Sequence, residues 1–142
     1  MIKKIVIVTG SRAEYGLLYK LIKKLDKDKS IDLKIIVTGM HLSKKYGNTY
    51  KEIIKDGFKI HKKINILSSS NSNFSISQSV GNGILSFASF YQKEKPELII
   101  VLGDRYELLS AVIPANFQQI PIFHIGGGDL TYGSQDDNIR HC

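Results

Sequence analysis

The sequence predicts an α/β fold, an open parallel sheet with helices on both faces. Short apolar runs rich in Ile and Val alternate five times along the chain with segments of helical periodicity. Most of these runs lack the in-and-out alternation of a half-exposed strand, which is typical of parallel strands buried on both faces. Glycine or polar residues follow the runs, where the chain must turn toward the next element. The whole chain is therefore predicted to form one layered domain.

The first half of the chain contains two predicted strand and helix pairs. Residues 2–8, IKKIVIV, predict a buried strand that ends at TGSR. A helix follows from Ala13 to about Asp26, because apolar residues recur there at helical spacing while lysines take the opposite face. IDLKIIVTG predicts a second strand over 31–38. LSKKYGNTYKEIIKDG then predicts a helix that ends at Gly57.

The second half continues the same alternation. FKIHKKINI predicts a short third strand, followed by the polar loop SSSNSNFS. A long helix is predicted from about Ser75 to Lys95, where Pro96 ends it. ELIIVLG is the clearest buried strand, YELLSAVIPANFQQ predicts a helix disturbed by Pro114, and IPIFHIGGG predicts a fifth strand. DDNIRHC indicates the first turns of a further helix.

The basic charge of the chain indicates a small anionic ligand and no nucleic acid. The net charge is +7, but the 17 lysines are spread along predicted helix faces without arginine clusters or interleaved aromatic residues. The three arginines are Arg12, Arg105 and Arg140, and each falls at a strand end or in an adjacent loop. A guanidinium presents a donor fork that matches phosphate oxygens, so these positions favour binding of a phosphate.

Composition also argues against several other function classes. The single cysteine, Cys142, allows no intrachain disulfide, which favours a cytoplasmic location. No apolar run approaches the length of a membrane span, roughly 18 residues or more. The four histidines lack the close paired spacing of a zinc site. GNGILS lacks the third glycine of a dinucleotide motif, and GxxxxGK is absent. The sequence predicts no membrane segment, no metal and no cofactor.

Four polar segments follow predicted strands and predict one site. TGSR, TGMHLS, GDRYE and HIGGGD lie at strand ends, and ligands of open parallel sheets bind beyond the carboxyl ends of the strands. Structural alternatives stay open for three of these segments. Ser11 could cap a helix with Arg12 on the surface. Asp104 could cap the following helix, and His124 could be a hydrogen-bonded structural residue.

Four longer motifs resemble one family. TGSRAEYGLL, TGMHLS, KPELIIVLGDRYE and HIGGGDLTYGSQDDNIRHC resemble, in order and spacing, the N-terminal half of the hydrolysing UDP-N-acetylglucosamine 2-epimerases of sialic acid and legionaminic acid biosynthesis. The resemblance covers the whole chain. It implies that residues 1–142 are one Rossmann-like domain, the N-terminal half of a glycosyltransferase-B fold. A C-terminal nucleotide-binding domain would follow, and the full-length protein would be a homo-oligomer that binds a nucleotide sugar.

The resemblance also implies a reaction and a set of residues. In this family the proton at C2 of the sugar is removed while the nucleoside diphosphate leaves C1, and the resulting glycal is hydrated to the free 2-epimer, of N-acetylmannosamine type. No redox cofactor is needed, and the isolated chain is expected to be inactive. The implied catalytic residues are Asp104, Asp137 and Asp129. The implied substrate-binding residues are Arg12, His41, Arg105, Glu107, His124, Gly126, Gly127, Asp136 and Arg140.

One departure from the family leaves the assignment of acid and base open. Several relatives carry a glutamate where this sequence has Gly126, so its role would fall to Asp129 or another carboxylate. Two further functions also stay open, a sugar transferase of the same architecture and a non-catalytic ligand-binding module. The residues do not distinguish N-acetylglucosamine from a diacetamido-trideoxy sugar, or uridine from guanosine.

Overall fold

Five strands form one parallel sheet in a computed structural model that describes residues 1–68, 70, 72–133 and 135–142, with Gln135 by its backbone alone. The strands are β1 (Lys3–Thr9), β2 (Ile31–Thr38), β3 (Ile60–Ile64), β4 (Leu98–Leu102) and β5 (Ile122–Ile125). Their order across the sheet is β3-β2-β1-β4-β5. Strand β1 is therefore central, and the chain crosses from one edge strand, β3, back to β4 on the other side of β1.

Helices cover both faces of this sheet, as the sequence predicts. They are α1 (Arg12–Asp26), α2 (Tyr50–Lys55), α3 (Asn73–Glu94), α4 (Glu107–Phe117) and α5 (Gln135–His141). Ile5 and Ile7 of β1 pack in one core with residues of α1 and α2. Val6 and Val8 pack in a second core with residues of α3 and α4. Because successive side chains of a strand point to opposite faces, one short apolar run supplies both cores.

The predicted helix between β2 and β3 is wrong in its extent. A 3₁₀ turn over Gly39–Leu42 ends where the predicted helix begins, a second 3₁₀ turn over Lys44–Tyr46 takes up its first part, and α2 has only six residues. Gly47 and Asn48 have φ values of 81° and 50°. This left-handed conformation interrupts a right-handed helix, and glycine adopts it at no steric cost. The apolar periodicity of the segment did not reveal this interruption.

The long crossover helix is close to its predicted bounds. Ser72 caps α3 by accepting a hydrogen bond from the Ser75 amide at 3.2 Å. Lys95 has a left-handed φ of 50°, and α3 ends there before Pro96. Ser69 and Asn71 of the predicted polar loop lie outside the described residues. Pro114 lies within α4, so the predicted disturbance does not end that helix.

The parallel arrangement brings the polar strand-end segments to one edge of the sheet. The loops after β1, β2, β4 and β5 all start at this edge because the strands run in the same direction. Since β1 pairs with both β2 and β4, the first three of these loops are neighbours. Strand order reverses between the adjacent strands β1 and β4, and the crevice at the carboxyl ends of two such strands is the usual position of a ligand in an open α/β sheet.

Candidate active site at the carboxyl edge of the sheet

A groove of about 750 Å³ lies between the loop after β1 and the loop after β4. Arg12, Glu14, Asp104 and Arg105 contribute ionisable side chains to its lining. Three of these residues are predicted from the sequence, and Glu14 is not. This groove, called the polar groove below, is the candidate site because cationic and acidic side chains converge there.

A second groove is less suited to a charged ligand. It has a volume of about 550 Å³ and lies between α4, β5 and α5. Its lining is mainly aliphatic and aromatic, including Leu108, Ile113 and Phe117, although His124 and Arg140 also reach it. The polar groove therefore remains the better candidate for a phosphate-containing ligand.

Arg12 lies at the mouth of the polar groove. It is the first residue of α1, directly after Ser11, whose Oγ accepts a hydrogen bond from the Glu14 amide at 3.3 Å. The predicted helix cap is thus confirmed. The Arg12 side chain is 74% exposed, and its Nε lies 3.1 Å from Oε2 of Glu52 on α2. An exposed ion pair of this kind contributes little to stability, so Arg12 can exchange Glu52 for an anionic ligand at small cost.

Glu14 is a groove residue that sequence reasoning missed. Its Oε2 accepts a hydrogen bond from the Gly10 amide at 2.6 Å. Burial raises the pKa of Glu14, and the negative charge of Glu107 acts in the same direction. The spacing of Ser11 and Glu14 matches the Ser-x-x-Glu pattern of a capping box, and this pattern could have identified Glu14 from the sequence. In this chain the glutamate reaches the amide of the residue before the cap.

His41 lies beneath the site. Its side chain is buried, with Nε2 at 3.0 Å from Oγ1 of Thr9 and Nδ1 at 2.8 Å from Oγ1 of Thr49. Burial lowers the pKa of His41 to about 4. The neutral ring therefore donates through one nitrogen and accepts through the other, and it ties the end of β1 to the start of α2. The contact of His41 with a sugar stays a prediction.

Arg105 and Glu107 form a two-point ion pair in the loop after β4. Nε of Arg105 lies 3.3 and 3.2 Å from the two carboxylate oxygens of Glu107, and Nη2 lies 3.2 Å from Oε1. The Glu107 side chain is almost fully buried, whereas that of Arg105 is 39% exposed. Glu107 therefore faces Arg105, and Arg105 faces the groove.

Arg140 connects all three predicted catalytic residues. Its Nη2 forms an ion pair with the Asp104 carboxylate. Its Nη1 lies 3.4 Å from Oδ1 of Asp137 and donates to the backbone carbonyl of Asp129 at 2.9 Å. Nη1 also donates to Oγ1 of Thr131 at 2.9 Å.

The alternative in which Asp104 caps α4 is wrong, because Tyr106 occupies the cap position without a side-chain hydrogen bond. Asp104 instead joins the loop after β4 to α5.

The glycine run after β5 lets the chain pack closely around His124. Nε2 of His124 donates to the carbonyl of Gly103 at 2.6 Å, as the structural alternative predicts. A Cβ at residue 127 would lie 2.6 Å from Nδ1 of the same ring. A Cβ at residue 126 would lie 3.4 Å from Oδ2 of Asp129. Gly127 therefore leaves room for His124, whereas Gly126 is favoured by its left-handed φ of 76°.

The predicted site residues thus fall into four groups, of which His124, Gly126 and Gly127 form the segment after β5. Arg12, Asp104 and Arg105 line the polar groove. Asp129, Asp137 and Arg140 are joined to Asp104 through the Arg140 guanidinium, with Asp136 in the first turn of the same helix. His41 and Glu107 are buried beneath the groove. Two cations and a carboxylate beside one cleft can bind a diphosphate and accept a proton from a nearby carbon.

Two absences hold for the described residues. In residues 1–68, 70, 72–133 and 135–142, no group of three His, Cys, Asp or Glu side chains is placed to hold a metal ion. Within the same described part of the chain, no helix is long and apolar enough to cross a membrane.

Comparison with known proteins gives a consistent family match. The family model described as UDP-N-acetylglucosamine 2-epimerase matches residues 23–142. The chain is 44% identical over 139 residues to the GDP/UDP-N,N'-diacetylbacillosamine 2-epimerase (hydrolyzing) of Campylobacter jejuni, covering 98% of this chain and 36% of that protein. It is 41% identical over 142 residues to the UDP-N,N'-diacetylbacillosamine 2-epimerase (hydrolyzing) of Legionella pneumophila, covering 100% of this chain and 37% of that protein.

A solved structure agrees with the fold. The UDP-GlcNAc 2-epimerase of Neisseria meningitidis bound to UDP-GlcNAc superposes with a TM-score of 0.76 and 27% identity, covering 92% of this chain and 34% of that one. The chain therefore spans about a third of the length of the curated relatives it matches, 36% and 37%.

Proposed function

Because this chain belongs to the UDP-N-acetylglucosamine 2-epimerase family, we propose that the full-length protein carries out hydrolysing 2-epimerisation of a nucleotide sugar. The products would be the free 2-epimer, of N-acetylmannosamine type, and a nucleoside diphosphate. The observation that carries this proposal is the polar groove, whose lining includes the cations Arg12 and Arg105 together with Asp104. Cations stabilise a departing diphosphate, and a carboxylate can take a proton from carbon.

The proposed reaction has two stages. In the first, a carboxylate removes the proton from C2, the C1–O bond to the diphosphate breaks, and a double bond forms between C1 and C2. In the second, water adds hydroxide to C1 and a proton returns to the opposite face of C2. Arg12 and Arg105 would offset the charge that develops on the diphosphate oxygens. A contact between arginine and the diphosphate accelerates the elimination only if the contact becomes stronger as the C1–O bond breaks.

We assign the proton transfers to Asp104 and Asp137, with Asp129 as a third candidate. Arg140 contacts the carboxylates of Asp104 and Asp137 and thereby holds them in one place. Such fixed geometry matters because proton transfer requires approach within hydrogen-bond distance. The assignment of base and acid stays open between the two aspartates.

We propose that a following domain supplies most nucleotide contacts, that the full-length protein is a cytoplasmic homo-oligomer, and that residues 1–142 alone are inactive. The names of the two curated relatives favour a diacetamido sugar over N-acetylglucosamine as the substrate, and both belong in the test.

A proton NMR time course in heavy water tests the proposal. The full-length protein that contains this chain is incubated with UDP-N-acetylglucosamine and, separately, with UDP-N,N'-diacetylbacillosamine. The expected result is release of UDP together with a free 2-epimer that carries deuterium at C2. Products without deuterium at C2 would contradict the elimination step. UDP release that requires an added sugar acceptor would favour the transferase, and saturable binding without products would favour the binding module.

A further inference from the structure

We infer that Glu107 is a positioning residue that holds the guanidinium of Arg105 toward the polar groove, where Arg105 binds the diphosphate of the substrate. This inference rests on the proposed function. It changes the role of Glu107 from a substrate contact, as the resemblance implies, to a residue that acts through Arg105.

The first step is that Glu107 does not face the groove. Its side chain is buried, although it is the first residue of α4 and carries a charge. Buried carboxylates are stable only with charged or hydrogen-bonding partners, and Arg105 supplies contacts to both oxygens at 3.2 to 3.3 Å. A carboxylate satisfied in this way from within the protein is poorly placed to contact a ligand.

The second step is that the space around Glu107 is fitted to this position. A Cβ at residue 39 would lie 2.7 Å from Oε1 of Glu107 and 3.1 Å from the carbonyl oxygen of Gly10. Glycine at position 39, where φ is 54°, leaves room for the carboxylate beside the loops after β1 and β2. The carboxylate is thus confined by packing as well as by charge, which makes it a fixed anchor for the guanidinium.

The third step is that Arg105 keeps donors for a ligand. A guanidinium has five N–H groups, and the contacts with Glu107 use Nε and one hydrogen of Nη2. Three N–H groups then remain for other acceptors. Arg105 lines the polar groove, and Glu14, which lines it too, adds a second negative charge that stabilises the guanidinium.

The fourth step is that Glu107 reduces the conformational entropy that Arg105 loses on binding. A free arginine side chain loses rotamer freedom when it binds a ligand, and that loss weakens binding. An arginine already held in place by a buried carboxylate avoids this loss. Glu107 is therefore expected to strengthen binding of the diphosphate without touching it.

A double-mutant cycle on the full-length protein tests the inference. UDP affinity is measured by calorimetry for wild type, Glu107→Gln, Arg105→Ala and the double variant. We expect Glu107→Gln to raise the Kd about tenfold when Arg105 is present, and to have no further effect in the Arg105→Ala background. We also expect kcat/KM of Glu107→Gln to fall when Arg105 is present, and to show no further fall in the Arg105→Ala background. Equal losses in both backgrounds, or no loss in either, would overturn the inference.

Two additions keep the result interpretable. If Glu107→Gln does not fold, Glu107→Asp replaces it in the same cycle, because the shorter chain keeps the charge but loses the two-point contact. Glu94→Gln is the matched control, since Glu94 forms a surface pair with Lys4 away from the groove and should leave UDP affinity unchanged. A wild type that epimerises but gives an additive cycle refutes only the role of Glu107. A wild type that binds neither UDP nor GDP, and turns over neither the UDP-linked nor the GDP-linked sugars, refutes both proposals.

Discussion

Arg140 forms an ion pair with Asp104 although 36 positions separate the two residues in the sequence. This contact joins α5 to the loop after β4 and places the carboxylates of Asp104 and Asp137 on one guanidinium. The Arg140 side chain is 11% exposed, so the interaction is poorly screened by solvent. Loss of either partner therefore affects the polar groove and α5 together.

Asp104→Asn should abolish turnover while leaving the fold intact. The amide keeps the shape of the side chain but loses the capacity to accept a proton, so kcat should fall by about 10² to 10⁴. The measurement is UDP release by the full-length protein, with circular dichroism to verify folding. Asp32→Asn is the control, because Asp32 pairs with Lys34 in β2, remote from the groove. Activity near that of wild type would remove Asp104 from the catalytic set.

Arg12→Ala should weaken binding of the nucleotide sugar. The side chain is 74% exposed and would lose an exposed ion pair with Glu52, so the free energy of unfolding should change by less than about 0.5 kcal/mol. The KM should rise about tenfold, since a guanidinium contact with a diphosphate contributes on the order of 1.5 kcal/mol. Lys20→Ala, on an exposed position of the same helix, is the control. Unchanged kinetics for Arg12→Ala would refute its contact with the diphosphate.

Gly83→Ala and Gly81→Ala should shift stability in opposite directions, although both lie in α3. A Cβ at residue 83 would lie 2.5 Å from Cγ2 of Ile66 and 2.6 Å from Oγ of Ser110. Overpacking should therefore lower the free energy of unfolding by about 1 to 3 kcal/mol. Residue 81 has open space, and alanine should raise the free energy of unfolding there by up to about 1 kcal/mol. Denaturant unfolding measures the free energy of unfolding of both variants. Equal changes in that free energy would contradict the packing of α3 on α4.

His41 should make the fold less stable in mild acid. Its pKa is about 4 in the folded protein, because of burial, and about 6.5 in an unfolded chain. Only the unfolded state takes up a proton on this residue between those values. The stabilisation is therefore complete above about pH 6.5 and declines toward pH 4, by up to about 3 kcal/mol.

The His41→Gln variant isolates this effect. Burial also lowers the pKa of His61, so wild type alone would combine two histidines. The free energy of unfolding should fall less steeply with decreasing pH in His41→Gln than in wild type. Parallel curves for the two proteins would show that His41 is not held neutral.

The sheet and the position of the site were predictable because they depend on local pattern. Apolar runs gave β1, β2, β4 and β5 to within a few residues, and the rule for parallel sheets placed the strand-end segments at one edge. The break at Gly47 was not predictable from periodicity. It depends on two left-handed residues, and a lone glycine within a helical pattern is a weak signal.

The partners of individual site residues could not be predicted in the same way. The ring of His41 is buried against Thr9 and Thr49. Thr9 is 32 positions away in the sequence, and Thr49 lies in a polar segment whose pattern does not indicate such a contact. The orientation of Glu107 depends on the gap left by Gly39 and on the two-point contact with Arg105. Such contacts arise from tertiary packing, and the spacing of residues in a single sequence does not predict them.

The order of the strands also bears on how the polypeptide folds during synthesis. Of the five strands, β1 is made first, yet its register with β4 joins Ile5 to Leu98. One edge of the central strand therefore stays unpaired while more than ninety residues leave the ribosome, and an apolar strand edge is prone to aggregation. Nascent chains of this protein should depend on chaperones until β4 has emerged.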